Sequence, residues 1–160
     1  MEKGHVLCLV GSERYIIYYE LLQPKQTITA DLYSQQLIRL SHALETKRPH
    51  RAKGERKVIL LHGNARPHVA KTTRSTIENL GWEVLSHPAY SPNLAPSDYH
   101  FFRSMQHFLS EKSYSDLEEI KKDISQYFIS KPASLYKKGI KMLSERWEMC
   151  ISSEGNYFSD

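Results

Sequence analysis

Two short stretches hold the residues whose chemistry is hardest to explain as packing. The first, His62-Gly63-Asn64-Ala65-Arg66-Pro67-His68, cuts off the apolar run Val58-Ile59-Leu60-Leu61. In α/β sheets, ligands bind beyond the carboxyl ends of the strands, so a loop in that position is where a site is expected. The second is Asp98, three residues before Phe101 and four before Phe102 at the start of a helical segment. On an α-helix this spacing puts the carboxylate on or near the apolar face, directed toward the sheet. A carboxylate aimed at a core is costly unless it is paired, hydrogen-bonded or holding a metal. The competing reading is an acidic cap that favours the helix dipole.

Other reactive side chains surround these two stretches. Lys47, Arg48, Arg51, Lys53, Arg56 and Lys57 crowd a polar segment. They could lie along a phosphate backbone, with affinity from counterion release, or simply solvate a loop. Arg66, Lys71 and Arg74 flank the loop on its helix side and could extend the same surface. His62 and His68 bracket the loop, and His87 and His100 follow. Their spacing matches no zinc-ligand pattern, so structural or hydrogen-bonding roles are expected. Ser97 near His100 lacks an orienting third group and an oxyanion pocket. The seven glycines form no nucleotide fingerprint, so no nucleotide cofactor is expected.

The elements that must position these residues can be read from periodicity. Residues 5–10 and 14–22 are short segments rich in Val, Ile, Leu and Tyr around Gly11-Ser12, predicting an antiparallel hairpin. Thr29 and Asp31 open a helix with Tyr33, Leu37, Leu40 and Leu44 on one face, stopping before Pro49. Residues 58–61 read as a strand buried on both faces. One helix should carry Val69, Thr73, Ile77 and Leu80 and end at Gly81, and residues 82–85 should form a parallel strand after a right-handed crossover. Beyond the proline-rich residues 87–96 the chain should be helical. Phe101, Met105 and Phe108 mark one helix; Leu117, Ile120, Ile124, Tyr127 and Phe128 a second; Tyr136, Ile140, Leu143 and Trp147 a third. Ser115-Asp116-Leu117-Glu118 reads as the capping box of the second.

Composition sets outer bounds. The 160 residues suit one compact domain, with 40% hydrophobic and 25% charged residues. A net charge of +4 tolerates a polyanionic partner without demanding one. No run approaches a membrane span and no secretory leader is visible, so a nuclear or cytoplasmic location is expected. Cys8 and Cys150 suit free thiols in a reducing compartment.

The stretches LLHGNARPHVA, LGWEVLSHPAYSPNLAPSDYHFF and RWEMCISSEGNYF resemble the catalytic domain of mariner transposases. IIYYELL and QTITADLYSQQL extend the resemblance over nearly the whole chain. The transposase-derived part of a histone-lysine methyltransferase fusion is similar too. The resemblance implies an RNase H-like fold in which three aspartates hold two divalent ions, Mg or Mn, for DNA strand cleavage and transfer. The family's second aspartate lies in a His-Asp-Asn-Ala motif, which here is His62-Gly63-Asn64-Ala65, so Gly63 stands at a ligand position. The third belongs to Ser-Asp-Tyr-His, here Ser97-Asp98-Tyr99-His100, with 34 residues between Gly63 and Asp98 as in mariner elements. The first aspartate, on a strand preceding residues 5–10, and the family's helix-turn-helix region are expected to be missing from this sequence. Asn93 stands where members usually carry Asp, and Ser86 where they usually carry Pro.

The resulting expectation is an α/β, RNase H-like mixed sheet flanked by helices and lacking its first strand, with residues 1–160 forming a single partial catalytic domain. Two-metal catalysis needs carboxylates holding ions about 3.5–4 Å apart. Asp98 supplies one carboxylate, Asn64 at most a neutral carbonyl, and Gly63 nothing. A catalytically inactive domain that holds Mg or Mn at most weakly is expected, with non-specific DNA binding through Lys47, Arg48, Arg51, Lys53, Arg66, Lys71 and Arg74. The alternative is a structural or protein-interaction module co-opted from a transposon. Open strand edges would favour a homodimer.

Overall fold

The computed structural model describes residues 6–10, 16–47 and 57–156. They fall into two compact units, one built mainly from Ile17–Tyr90 and the other from Ser91–Asp160. Of the cluster of basic residues, Lys47 and Lys57 are described and exposed, whereas Arg48, Arg51, Lys53 and Arg56 lie outside the described residues.

In the first unit, β1 (Val6–Val10) and β2 (Ile16–Leu21) pair as a two-stranded sheet, in the places where the β-branched and aromatic segments predicted strands. Helix α1 (Ala30–Lys47) begins where Thr29 Oγ1 accepts from the Leu32 amide at 3.2 Å. Arg39 of α1 forms an ion pair with Glu20 of β2. Tyr33, Leu37 and Leu40 are buried along the predicted face. Strand β3 (Ile59–Leu60) runs parallel to β4 (Glu83–Val84), with Ile59 opposite Glu83 and Leu60 opposite Val84. This is the strand–helix–strand pairing predicted from the sequence. Leu60, Ile77, Tyr33 and Leu37 form the core, with Ile28, Leu80 and Trp82 packed against it.

Three details differ from the sequence reading. Among the described residues the strands form two separate two-stranded sheets rather than one mixed sheet. Strand β3 is not buried on both faces: Leu60 is 2% exposed but Ile59 is 62% exposed. Successive strand residues point to opposite faces, and the core covers only the Leu60 side. The single helix expected before Gly81 is broken in two, α2 (Arg66–Val69) and α3 (Lys71–Asn79), because Ala70 is extended at φ −61°, ψ 150°. Thr73 spans the break by donating its hydroxyl to the Pro67 carbonyl at 2.5 Å. Gly81 ends the pair at φ +68°, the left-handed conformation that suits glycine.

The second unit is helical, as periodicity required. A 3₁₀ turn (Pro92–Leu94) and a π-helical turn (Ser97–Phe102) lead into α4 (Arg103–Ser110), followed by α5 (Leu117–Ser130) and α6 (Ala133–Ser152). Leu94, Phe101, Met105, Ile124, Tyr127 and Tyr136 are buried in it. The α5 capping box sits one residue later than expected. Asp116 caps the Glu119 amide at 2.9 Å, and the Glu119 carboxylate accepts from the Ser115 amide at 2.8 Å. An Asp carboxylate at this position supplies the acceptor that the Ser115 hydroxyl was expected to supply.

Candidate functional site

The loop after β3 turns directly into α2. Pro67 stands in the first turn of α2, and the amides of His68 and Val69 bond back to the Ala65 carbonyl at 2.8 and 3.2 Å. The fixed φ of proline favours a helix start at that point. Gly63, in this loop, does not have a positive φ, and a Cβ built on it would meet nothing within 4 Å. Neither backbone conformation nor crowding therefore requires glycine there, so the position has room for a side chain that the sequence does not supply.

Two histidines frame Gly63. The His62 and His68 rings stack with centroids 5.2 Å apart and planes within 4°. Tyr33 from α1 places its hydroxyl 2.9 Å from His62 Nδ1, and its ring lies 4.3 Å from that of His68. His68 Nδ1 donates to the Gly63 carbonyl at 3.0 Å, since a carbonyl can only accept. Burial pushes the His62 pKa down from 6.5 to about 4, helped by the charges of His68 and His87. His68 is lowered as well by burial, against the opposing pull of its bond to Gly63. Both rings are thus neutral at pH 7. This matches the structural and hydrogen-bonding role expected for them. Parallel rings do not converge on one ion, and among the described residues no three His, Cys, Asp or Glu side chains come together as a metal site.

Asn64 is exposed, and its side-chain amide donates to the His87 carbonyl at 2.8 Å. Arg66, Lys71 and Arg74 are all exposed on α2 and α3. Gly63 and these cations belong to the first unit, and Asp98 to the second.

Asp98 occupies the first turn of the π-helical segment and is exposed, with Ser97 Oγ 3.5 Å from its Oδ2. The expected core-directed carboxylate is therefore corrected. With the i→i+5 bonding of a π turn, residues three apart lie further round the axis than in an α turn, and Phe101 is buried while Asp98 is exposed. The segment is held by α6. Tyr99 donates its hydroxyl to the Gly139 carbonyl at 2.6 Å, and His100 Nε2 bonds the Leu135 carbonyl at 2.9 Å. Arg146, 5% exposed, lies 4.1 Å over the Tyr99 ring and donates to the Asn93 carbonyl at 3.2 Å. Burial pushes the Tyr99 pKa up to about 12, with Arg146 pulling the other way.

Sequence reasoning missed the Tyr33 hydroxyl, the buried Arg146 and the close approach at Gly139. Tyr33 was legible only as an apolar member of the α1 stripe. Arg146 falls at i+3 from Leu143 and i+10 from Tyr136, a helical spacing that could have flagged an inward-facing cation.

Residues 2–54 match the transposase family described as a partial DDE domain. The chain is 47% identical over 155 residues to the mariner Mos1 transposase of Drosophila mauritiana, an alignment covering 97% of this chain and 45% of that protein. It is 38% identical over 144 residues to the histone-lysine N-methyltransferase SETMAR of Homo sapiens, covering 89% of this chain and 21% of that protein. The crystal structure of the catalytic domain of Mos1 mariner transposase superposes with a TM-score of 0.90 at 45% identity, covering 98% of this chain and 82% of that one. The fold is that of an RNase H-like catalytic domain, helix-rich and with little sheet. The chain belongs to the mariner transposase family, through the catalytic domain of its members. It spans less than half the length of the Mos1 protein and about a fifth of SETMAR, at 45% and 21%. Among the described residues, no helix is long and apolar enough to cross a membrane.

Proposed function

We propose that this chain is a mariner-type catalytic domain, related to cut-and-paste DNA transposition, that no longer cuts DNA and retains non-specific affinity for the duplex backbone. The observation that carries the reading is Gly63. It fills the position of a metal-binding aspartate, in a backbone that does not need glycine and with open space where a side chain would stand. Mos1 catalytic-domain structures have been solved with Mg and with Mn, and Mos1 has been solved in paired-end complexes. The family's use of divalent metal supports asking whether this chain can hold it. The Gly63 loop does not fit: Gly63 offers no ligand, and Asn64 offers only a neutral carbonyl oxygen, its amide nitrogen donating to His87. A hard divalent ion needs charged oxygen ligands, and this loop supplies none. No catalytic step is therefore assigned to this site.

DNA affinity rests on different chemistry. Arg66, Lys71 and Arg74 are exposed on adjoining helices beside the Gly63 loop, where they can contact phosphates without reading sequence. One titration series tests both parts. Duplex DNA should bind at about 50 mM salt and weaken linearly on a log–log salt plot, with a slope that falls by about one for each cation replaced by alanine. No Mg²⁺- or Mn²⁺-dependent nicking should occur. Nicking that vanishes in Asp98→Ala would overturn the inactive assignment, and an absence of duplex binding at low salt would overturn the DNA assignment.

A further inference from the structure

Beside the His62–His68 stack, within the first unit, lies a half-open cavity of about 370 Å³. Its walls include His62, His68, Trp82 and Ser86, with Arg74 and Glu78 also lining it. We propose that this cavity is a binding site for a nucleobase, a neutral planar ring system with donors and acceptors along one edge.

The shape and chemistry of the walls select that ligand class. Trp82 and the stacked imidazoles supply flat π surfaces, the kind of platform on which bases of any sequence stack. The polar atoms can be counted one by one. His68 commits Nδ1–H to the Gly63 carbonyl, so the neutral ring keeps Nε2 as a bare acceptor. His62 commits Nδ1 to the Tyr33 hydroxyl, which leaves its Nε2 for a ligand. Asn64, a further wall residue, commits its amide nitrogen to His87 and keeps its carbonyl oxygen as an acceptor. Ser86 adds a hydroxyl to the lining.

Other ligand classes fit less well. Arg74 and Glu78 contribute opposite charges, so the lining selects neither an anion nor a cation. The parallel imidazoles cannot both point a lone pair at one metal ion. A purely aliphatic ligand would leave the ring nitrogens and the Asn64 oxygen without partners, which is costly. The volume lies near the lower end of small-molecule pockets, roughly 300–1,000 Å³, as suits a nucleoside rather than a larger cofactor.

The base can come from a free nucleoside or from an unpaired position of a DNA strand. In the second case the inference rests on the reading of DNA as partner. The test keeps the two apart by titrating deoxyadenosine, deoxycytidine and a single-stranded decanucleotide into the full chain. The readout is the ring ¹H–¹⁵N signals of His62 and His68, at about 50 mM and again at about 500 mM salt, across which backbone binding would collapse. Saturable shifts with the nucleosides, unchanged by salt, assign the free ligand. Shifts with the oligonucleotide alone that survive high salt assign a strand base. His68→Phe keeps an aromatic ring but removes the acceptor, and should weaken binding about fivefold, the worth of one neutral hydrogen bond. Val84→Trp, at an exposed wall position, should abolish the shifts by filling the cavity, and serves if His68→Phe does not fold. Unmoved histidine signals at millimolar nucleoside and oligonucleotide would overturn the proposal, as would shifts that persist in Val84→Trp. Salt-sensitive duplex binding can succeed or fail independently of either result.

Discussion

Replacing Gly139 by alanine sets two effects of opposite sign against each other. Gly139 is the seventh of the 20 residues of α6, and at an interior helical position alanine is favoured over glycine by about 0.8–1.0 kcal/mol. Packing opposes the change. A Cβ at Gly139 would stand 2.6 Å from His100 Cδ2 and 2.9 Å from Phe101 Cζ. Neither neighbour can retreat freely, because His100 is tied to the Leu135 carbonyl at 2.9 Å and Phe101 is stacked on Tyr136 at 5.5 Å. Overpacking a filled site costs about 1–3 kcal/mol. If His100 gives way, its bond to Leu135 and that of Tyr99 to the Gly139 carbonyl weaken too, each worth about 1 kcal/mol. Steric cost and weakened bonds together exceed the propensity gain, and the expected result is a net loss of about 1–3 kcal/mol. Urea unfolding should show it as a lower midpoint with an unchanged slope. Gly63→Ala is the control: its Cβ meets nothing within 4 Å, so stability should change by no more than about 0.5 kcal/mol. A Gly139→Ala protein as stable as the parent, or more so, would refute the close approach between α6 and the turn that carries Asp98.

Two further perturbations probe the two units separately. The fold holds His62 at about 4 against an ordinary 6.5, so the unfolded chain takes up that proton first as pH falls. The contribution is therefore full above pH 6.5, lost progressively down to about 4 and level below, with His68 acting in the same direction. Allowing for screening through the open side of the cavity, it amounts to about 1–2 kcal/mol. Urea midpoints at pH 7 and 4.5 for the parent and for His62→Gln measure it, and equal pH dependence in the two proteins would contradict the shift. In the helical unit, Asp116→Ala removes the α5 cap and should cost about 1 kcal/mol, whereas Ser115→Ala, which keeps its backbone amide on Glu119, should be nearly neutral. The reverse order would restore the capping box as first read from the sequence.

Much of this protein is set by local rules that a sequence displays. The apolar stripe of α1, the Thr29 start, the Gly81 stop and the parallel pairing of β3 with β4 all follow from residue spacing and turn chemistry. The role proposed for Gly63 also starts from the sequence, where the resemblance sets it at an aspartate position of the family motif. What the sequence could not decide depends on contacts between residues far apart in the chain or on small changes of helical geometry. Asp98 was read as core-directed because α-helical spacing was assumed, and the structure leaves it exposed on a π-helical turn. Tyr33 looked like one more apolar helix residue, yet its hydroxyl meets His62, 29 positions away. Arg146 was not singled out from the sequence, yet it is buried against Tyr99 and Asn93. Only the tertiary structure shows that Gly63 is free of backbone necessity, because the space around an absent side chain is set by neighbours that spacing does not specify.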